Sequence, residues 1–281
     1  PEVSTKFILN SANNNYEPAI TWLDKNSKDN PELMLELAAL YDKYNSAENI
    51  DKSLKIYEEL AIAQNQTAIR RLDVLARVVS SVKAMNILAE IYVSESSHLK
   101  AANYYLLIVK NHPNSDIAKN SWEWLFNNAE NNEKIFIKLK NIIDQINSID
   151  MNYRMAELLD KTGDISNATD YYLSVIGHKL ESVNTKYSWD WVLHQAENNE
   201  KVLTKLECFI DKCNDVEMIY KMACFYEKIN YINRATDYHY RIINVYPESN
   251  VAKYSWDWLF HNAKTSKNDF VSLKNVVDKS N

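Results

Sequence analysis

Ser121-Trp122-Glu123-Trp124-Leu125-Phe126 is written three times in this chain. It returns as Ser188-Trp189-Asp190-Trp191-Val192-Leu193 and as Ser255-Trp256-Asp257-Trp258-Leu259-Phe260. Each copy begins 67 residues after the last (188 less 121, and 255 less 188), and together they hold six of the seven tryptophans. A fixed period of this kind marks a repeat architecture. Beside the first copy, Ala129-Glu130-Asn131-Asn132-Glu133-Lys134 recurs unchanged at 196–201. Such identity points to duplication of one unit.

Between these copies a second constellation recurs. Leu88-Ala89, Tyr92, Ala101, Tyr105 and Pro113 return as Met155-Ala156, Leu159, Ala168 and Tyr172, then as Met222-Ala223, Tyr226, Ala235, His239 and Pro247. Leu37-Ala38, Tyr41, Ser53 and Tyr57 begin the series. The i, i+1, i+4 spacing is one face of a helix. Each set predicts two antiparallel helices of about 13–15 residues, brought close by the small alanines, with Pro113 and Pro247 stopping the second.

In the tryptophan-bearing hairpin, Trp124, Trp191 and Trp258 fall on the core position. Its second helix carries Phe136, Leu139, Ile142 and Ile143, then Leu203, Leu206, Phe209 and Ile210, then Phe270, Leu273, Val276 and Val277. Ahead of the series, two short helices are expected before Asn30-Pro31, turning at Asn13-Asn14-Asn15.

These residues resemble the tetratricopeptide repeat, whose unit is about 34 residues, so that 67 is close to two hairpins. The pairs Tyr104-Tyr105 and Tyr171-Tyr172, with the longer turn at Asn45–Asn49, are similar to the related Sel1-like repeat. The resemblance covers about residues 31–281, with alanine or serine mostly standing where the family has glycine. It implies an all-α, right-handed superhelical solenoid of about eight antiparallel hairpins, the 67-residue two-hairpin repeat filling the C-terminal two-thirds. The register breaks once, since Leu37 and Leu88 are 51 apart. A helix-sized piece is expected to be missing near Ser80-Ser81, dividing N-terminal repeats at 1–80 from a C-terminal array at 81–281.

Composition agrees with helices. Two glycines and five prolines in 281 residues leave few residues for turns, bulges and phosphate loops, while 46% hydrophobic residues supply a core. A net charge of −6 without any basic run gives no footprint for nucleic acid. No apolar run has the length of a membrane span, so no membrane insertion is expected. The chain begins at Pro1 without methionine, as a processed or trimmed product does, so the missing secretory signal does not separate cytoplasm from bacterial periplasm. Cys208, Cys213 and Cys224 are odd in number and read as helix-packing residues. No phosphate loop, metal-ligand spacing or nucleophile motif stands out, so neither enzyme activity nor a cofactor or metal is expected.

What remains is the groove. In this family the first helices line the concave side, at the residue after the small position and those three and four further on. Carried onto this chain, the partner-binding positions include Trp122, Leu125, Phe126, Glu157, Trp189, Trp256 and Phe260, and Tyr153 and Tyr220, one turn earlier, are expected to point the same way. Packing of Trp122, Trp189 and Trp256 between neighbouring helices is the competing reading. The expected role is a scaffold that binds a protein or peptide partner, with bacterial assembly, secretion or envelope export as the specialisation the resemblance implies. The alternative is carbohydrate binding, as the non-catalytic superhelical arm of a cell-wall or polysaccharide system.

Overall fold

Helix signals alternate with polar turns along the whole chain, and the structure, a computed structural model, follows them. It describes residues 2–44, 46–178 and 181–263. The expected helix positions Phe270, Leu273, Val276 and Val277, and Asn45 of the expected turn, lie outside the described residues. Among the described residues there are sixteen helices and no strand. They are α1 (Glu2–Asn13), α2 (Glu17–Asn26), α3 (Pro31–Tyr44), α4 (Ala47–Ile62), α5 (Gln66–Arg77), α6 (Val82–Ser94), α7 (His98–Asn111) and α8 (Asp116–Ala129). Then follow α9 (Glu133–Ile146), α10 (Ile149–Lys161), α11 (Ile165–Gly177), α12 (Val183–Ala196), α13 (Glu200–Cys213), α14 (Val216–Lys228), α15 (Ile232–Val245) and α16 (Asn250–Ala263).

From α5 onward the helix starts recur at fixed intervals. Gln66, Glu133 and Glu200 stand 67 apart, as do Val82, Ile149 and Val216; His98, Ile165 and Ile232; and Asp116, Val183 and Asn250. The local chemistry recurs with them. Asn65, Asn132 and Asn199 each accept a hydrogen bond at the start of the helix that follows, satisfying donors that the helix itself leaves unpaired. The buried stripes Ala68, Leu72, Ala76; Ile135, Leu139, Ile143; and Val202, Leu206, Ile210 occupy matching positions. Two turn positions also match in backbone: Ser80, Asn147, Asn214 and Ser96, Gly163, Asn230 all have positive φ. Only one of the six is glycine, which is how so glycine-poor a chain makes so many turns.

The chain divides into two compact units, Pro1–Gln145 and Ile146–Asn281. In the first, α3 packs on α4 and α6 on α7, with α5 between α4 and α6. Ala12, Ala19, Leu23, Leu37, Leu40 and Tyr41 tie α1, α2 and α3 into one cluster. In the second, α10 packs on α11, α12 on α13, and α14 on α15, with α11 also against α12 and α13. The break expected near Ser80 falls on the α5–α6 turn, inside the first unit. Here α5 keeps step with α9 and α13, and α4 packs against both α3 and α5.

Candidate partner-binding groove

Two helices of the second unit, α12 and α14, frame an open concavity. Ser182 caps α12 by accepting from the Thr185 N–H (3.1 Å), and Asp215 caps α14 by accepting from the Glu217 and Met218 N–H groups. Capping fixes where each helix starts, and so which side chains face the other. Between them lies an open groove of about 1090 Å³, with Trp189 and Leu193 from α12 and Met218, Tyr220 and Cys224 from α14 in its wall. Its rim carries Glu181, Asp190, Asp215 and Glu217 against Lys186, Lys221 and Lys228. Two of the three lysines are engaged: Lys221 Nζ sits 4.9 Å from the centroid of the Trp189 ring, and Lys228 pairs with Glu197 at 2.5 Å. The rim thus mixes four carboxylates with three ammonium groups, Asp215 among the carboxylates being engaged as the α14 cap.

The sequence-predicted positions are distributed as follows. Trp189 and Tyr220 meet in this groove, although Trp189 keeps only 5% of its surface exposed. Tyr220 is half-buried, and burial, then its neighbour Cys224, pushes its phenol up to about 12. Tyr153 is half-buried on α10, its ring 6.5 Å from the exposed Tyr187 of α12, and burial followed by Glu157 pushes it up to about 12. Glu157 itself is exposed. In the first unit, Leu125 is fully buried, and Trp122 and Phe126 are buried with ring centroids 6.1 Å apart. On α16, half-buried Trp256 stacks on Phe260, which is 50% exposed.

The second tryptophan of each pair has a constant partner. Trp124 lies 4.8 Å from Tyr105, Trp191 lies 4.4 Å from Tyr172, and Trp258 lies 4.4 Å from His239. All three tryptophans are half-buried. Residues that the family positions did not include also line the groove, notably Lys186, Met218 and Lys221. Their signal was available, since each lies within one helical turn of Trp189 or Tyr220 on the same helix. No known protein family and no curated protein matches this chain.

The first unit has a smaller concavity of about 720 Å³, with Leu9, Leu33, Ala39 and Arg71 among its lining. None of the three cysteines forms a disulfide; Cys208 is exposed and the other two are half-buried. Among the described residues no cluster of three or more His, Cys, Asp or Glu could hold a metal, and no helix is long and apolar enough to cross a membrane. One arrangement has the outline of a hydrolytic relay: His239 Nδ1 lies 3.1 Å from Ser255 Oγ, and Nε2 lies 2.8 Å from Glu227 Oε1. Ser255 is fully buried, so this hydroxyl presents no nucleophile to a substrate.

Proposed function

We propose that this chain is a non-catalytic scaffold of the tetratricopeptide and Sel1-like kind, built by duplication of a 67-residue, two-hairpin unit. The right-handed superhelical stacking that the resemblance implies is part of this reading. Its α12–α14 groove holds a segment of a partner protein, with Trp189 and Tyr220 as aromatic walls. The observation that carries the reading is the groove itself, which draws its wall from two successive first helices, with Trp189 at a position carried over from the family and Tyr220 one turn ahead of the next. The rim's mixture of carboxylates and lysines favours a segment whose apolar residues are flanked by charged groups of both signs. Assembly, secretion or envelope export is the setting that fits such a scaffold.

The test is capture of partners from the native organism, read by mass spectrometry, with Leu193→Asp as the comparison. Leu193 is only partly buried, so the variant keeps its helical signal while a charge enters the groove wall. A partner held by the original chain and lost by about tenfold or more in the variant, roughly 1.4 kcal/mol, supports the reading. Equal capture by both overturns it.

A second reading, carbohydrate binding, is favoured by the exposed tyrosines Tyr187 and Tyr254, each beside another tyrosine ring at 6.5 and 6.3 Å. Glycan binding that Tyr187→Ala abolishes, in the absence of any captured protein, would decide for it.

A further inference from the structure

Positions 105, 172 and 239 are equivalent in the 67-residue register, and the first two hold tyrosine where the third holds histidine. All three rings lie against a tryptophan of the helix that follows. The serines at 121, 188 and 255 are equally matched, but they bond differently. Ser121 donates to the Ile117 carbonyl (2.8 Å) and Ser188 to the Asn184 carbonyl (2.7 Å), whereas Ser255 Oγ lies 3.1 Å from His239 Nδ1. Nε2 of the same ring reaches Glu227 at 2.8 Å. His239, only 1% exposed, thus joins Glu227 on α14 and Ser255 and Trp258 on α16 from its own place on α15.

We propose that His239 is a pH-responsive latch, which ties α14, α15 and α16 together as a neutral imidazole and loosens them when it takes up a proton. In the neutral form Nε2–H donates to the Glu227 carboxylate and Nδ1 accepts the Ser255 hydroxyl. Protonation places a charge on a ring withdrawn from water. It also forces Ser255 to give up its donated bond and accept instead. Among the described residues, the charged group facing the ring is Glu227, whose side chain is 30% exposed and therefore screened by water. Tyr220, 6.2 Å away on α14, and its neighbour Cys224 are both held neutral by burial across the acid range. On α13, Glu207 is met by Tyr226 and Arg234, and Asp211 by Arg241. On α16 the facing groups, Ser255 and Trp258, carry no charge.

Burial, opposed by Glu227, holds the imidazole below its ordinary value. The unfolded chain therefore binds the proton first, at about pH 6.5. The stability His239 contributes is complete above that value and is lost as pH falls below it toward the folded-state value. α14 also forms one wall of the groove, so the wall is anchored through a group that titrates.

The test compares thermal melting of the full chain with that of His239→Tyr, at about pH 7.5 and about pH 5.5, either side of the ordinary histidine value. The tyrosine variant restores the residue of the two other copies. It should lose clearly less melting temperature on acidification than the original chain, with the histidine ring protons titrating below about 6.5 in the latter. Glu227→Gln should enlarge the acid loss, because the charged ring then faces no carboxylate; a purely structural contact would not respond in this way. Should the tyrosine fail to fit, His239→Gln supplies a second non-titrating variant. Equal acid loss in the original chain and the non-titrating variant, or a ring titrating at or above its ordinary value, overturns the proposal.

Discussion

Tyr41, Tyr57 and Tyr104 each donate a phenolic hydrogen bond to a carboxylate on a neighbouring helix or turn, to Asp24 (3.2 Å), Asp42 (2.8 Å) and Asp73 (2.6 Å). Burial first, and the carboxylate second, pushes Tyr41 and Tyr104 up to about 12. The phenols stay neutral in the fold while those of the unfolded chain ionise near pH 10. Their stability is therefore present below about pH 10 and is lost as pH rises toward 12. Circular dichroism melts in this range should steepen for the original chain and flatten for Tyr104→Phe, which at neutral pH should lose about 0.5–1.5 kcal/mol. An unchanged alkaline limb in the variant would remove the argument. At this scale the sequence was only partly legible. Trp122 and Trp124 are two residues apart and so turned about 200° around the helix, and periodicity alone does not say which of two opposite faces is the better covered. In the structure Trp122 and Trp189 are buried while Trp124 and Trp191 are half-buried against tyrosines. A helix with neighbours on both sides conceals both of its faces. The exchange of tyrosine for histidine at 239 was plain in the sequence, but its contact with Ser255 depends on the approach of α15 to α16.

The elements themselves were legible because their signals are local. Ser81, Ser115, Asp164 and Asp215 cap the helices they precede, and the alanine and tryptophan spacings give each buried stripe. Less legible was the join ahead of the repeats. Matching Leu37-Ala38 to Leu88-Ala89 suggests a missing helix near Ser80, whereas Asn65, Ala68, Leu72 and Ala76 put α5 in step with α9 and α13. The small residues Ala68 and Ala76 stand where the later copies have isoleucine or valine, so a hydrophobic pattern weak in sequence is fully buried in space. At the centre of the equivalent stripe in α13, Leu206→Ala should cost about 2–5 kcal/mol, seen as a lowered urea midpoint. The turns give a finer test. Gly163 has φ +83 and open space around it, so a substitution there meets only backbone strain. Gly163→Ala should lose about 1–2 kcal/mol, and Gly163→Asn less, because asparagine already occupies the matching turn at 230. Equal losses would mean that something other than the left-handed backbone sets the cost.

Within each unit the described helices pack mainly on those near in sequence, so stability is close to a sum of neighbour terms. This makes one deletion informative. Removing residues 133–199 joins Asn132 to Glu200 and recreates the Asn-Glu-Lys sequence that already stands at both sites. Such a chain should keep its helical content per residue and melt as a folded protein, whereas removal of about 50 residues from the same region should not, since it leaves helices out of step. Calorimetry of the two would settle the comparison, and a folded product from the shorter deletion would argue against a strict four-helix unit. The proposed occupant of the α12–α14 groove lies outside such arguments, because a neighbour-by-neighbour sum contains no term for a ligand. The identical stretch at 129–134 and 196–201 also has a genetic meaning. Where the coding sequences of these junctions are equally alike, recombination between them gains or loses four helices at a stroke. Each event keeps an asparagine cap at the seam, so the length of such a gene would drift in whole folded steps.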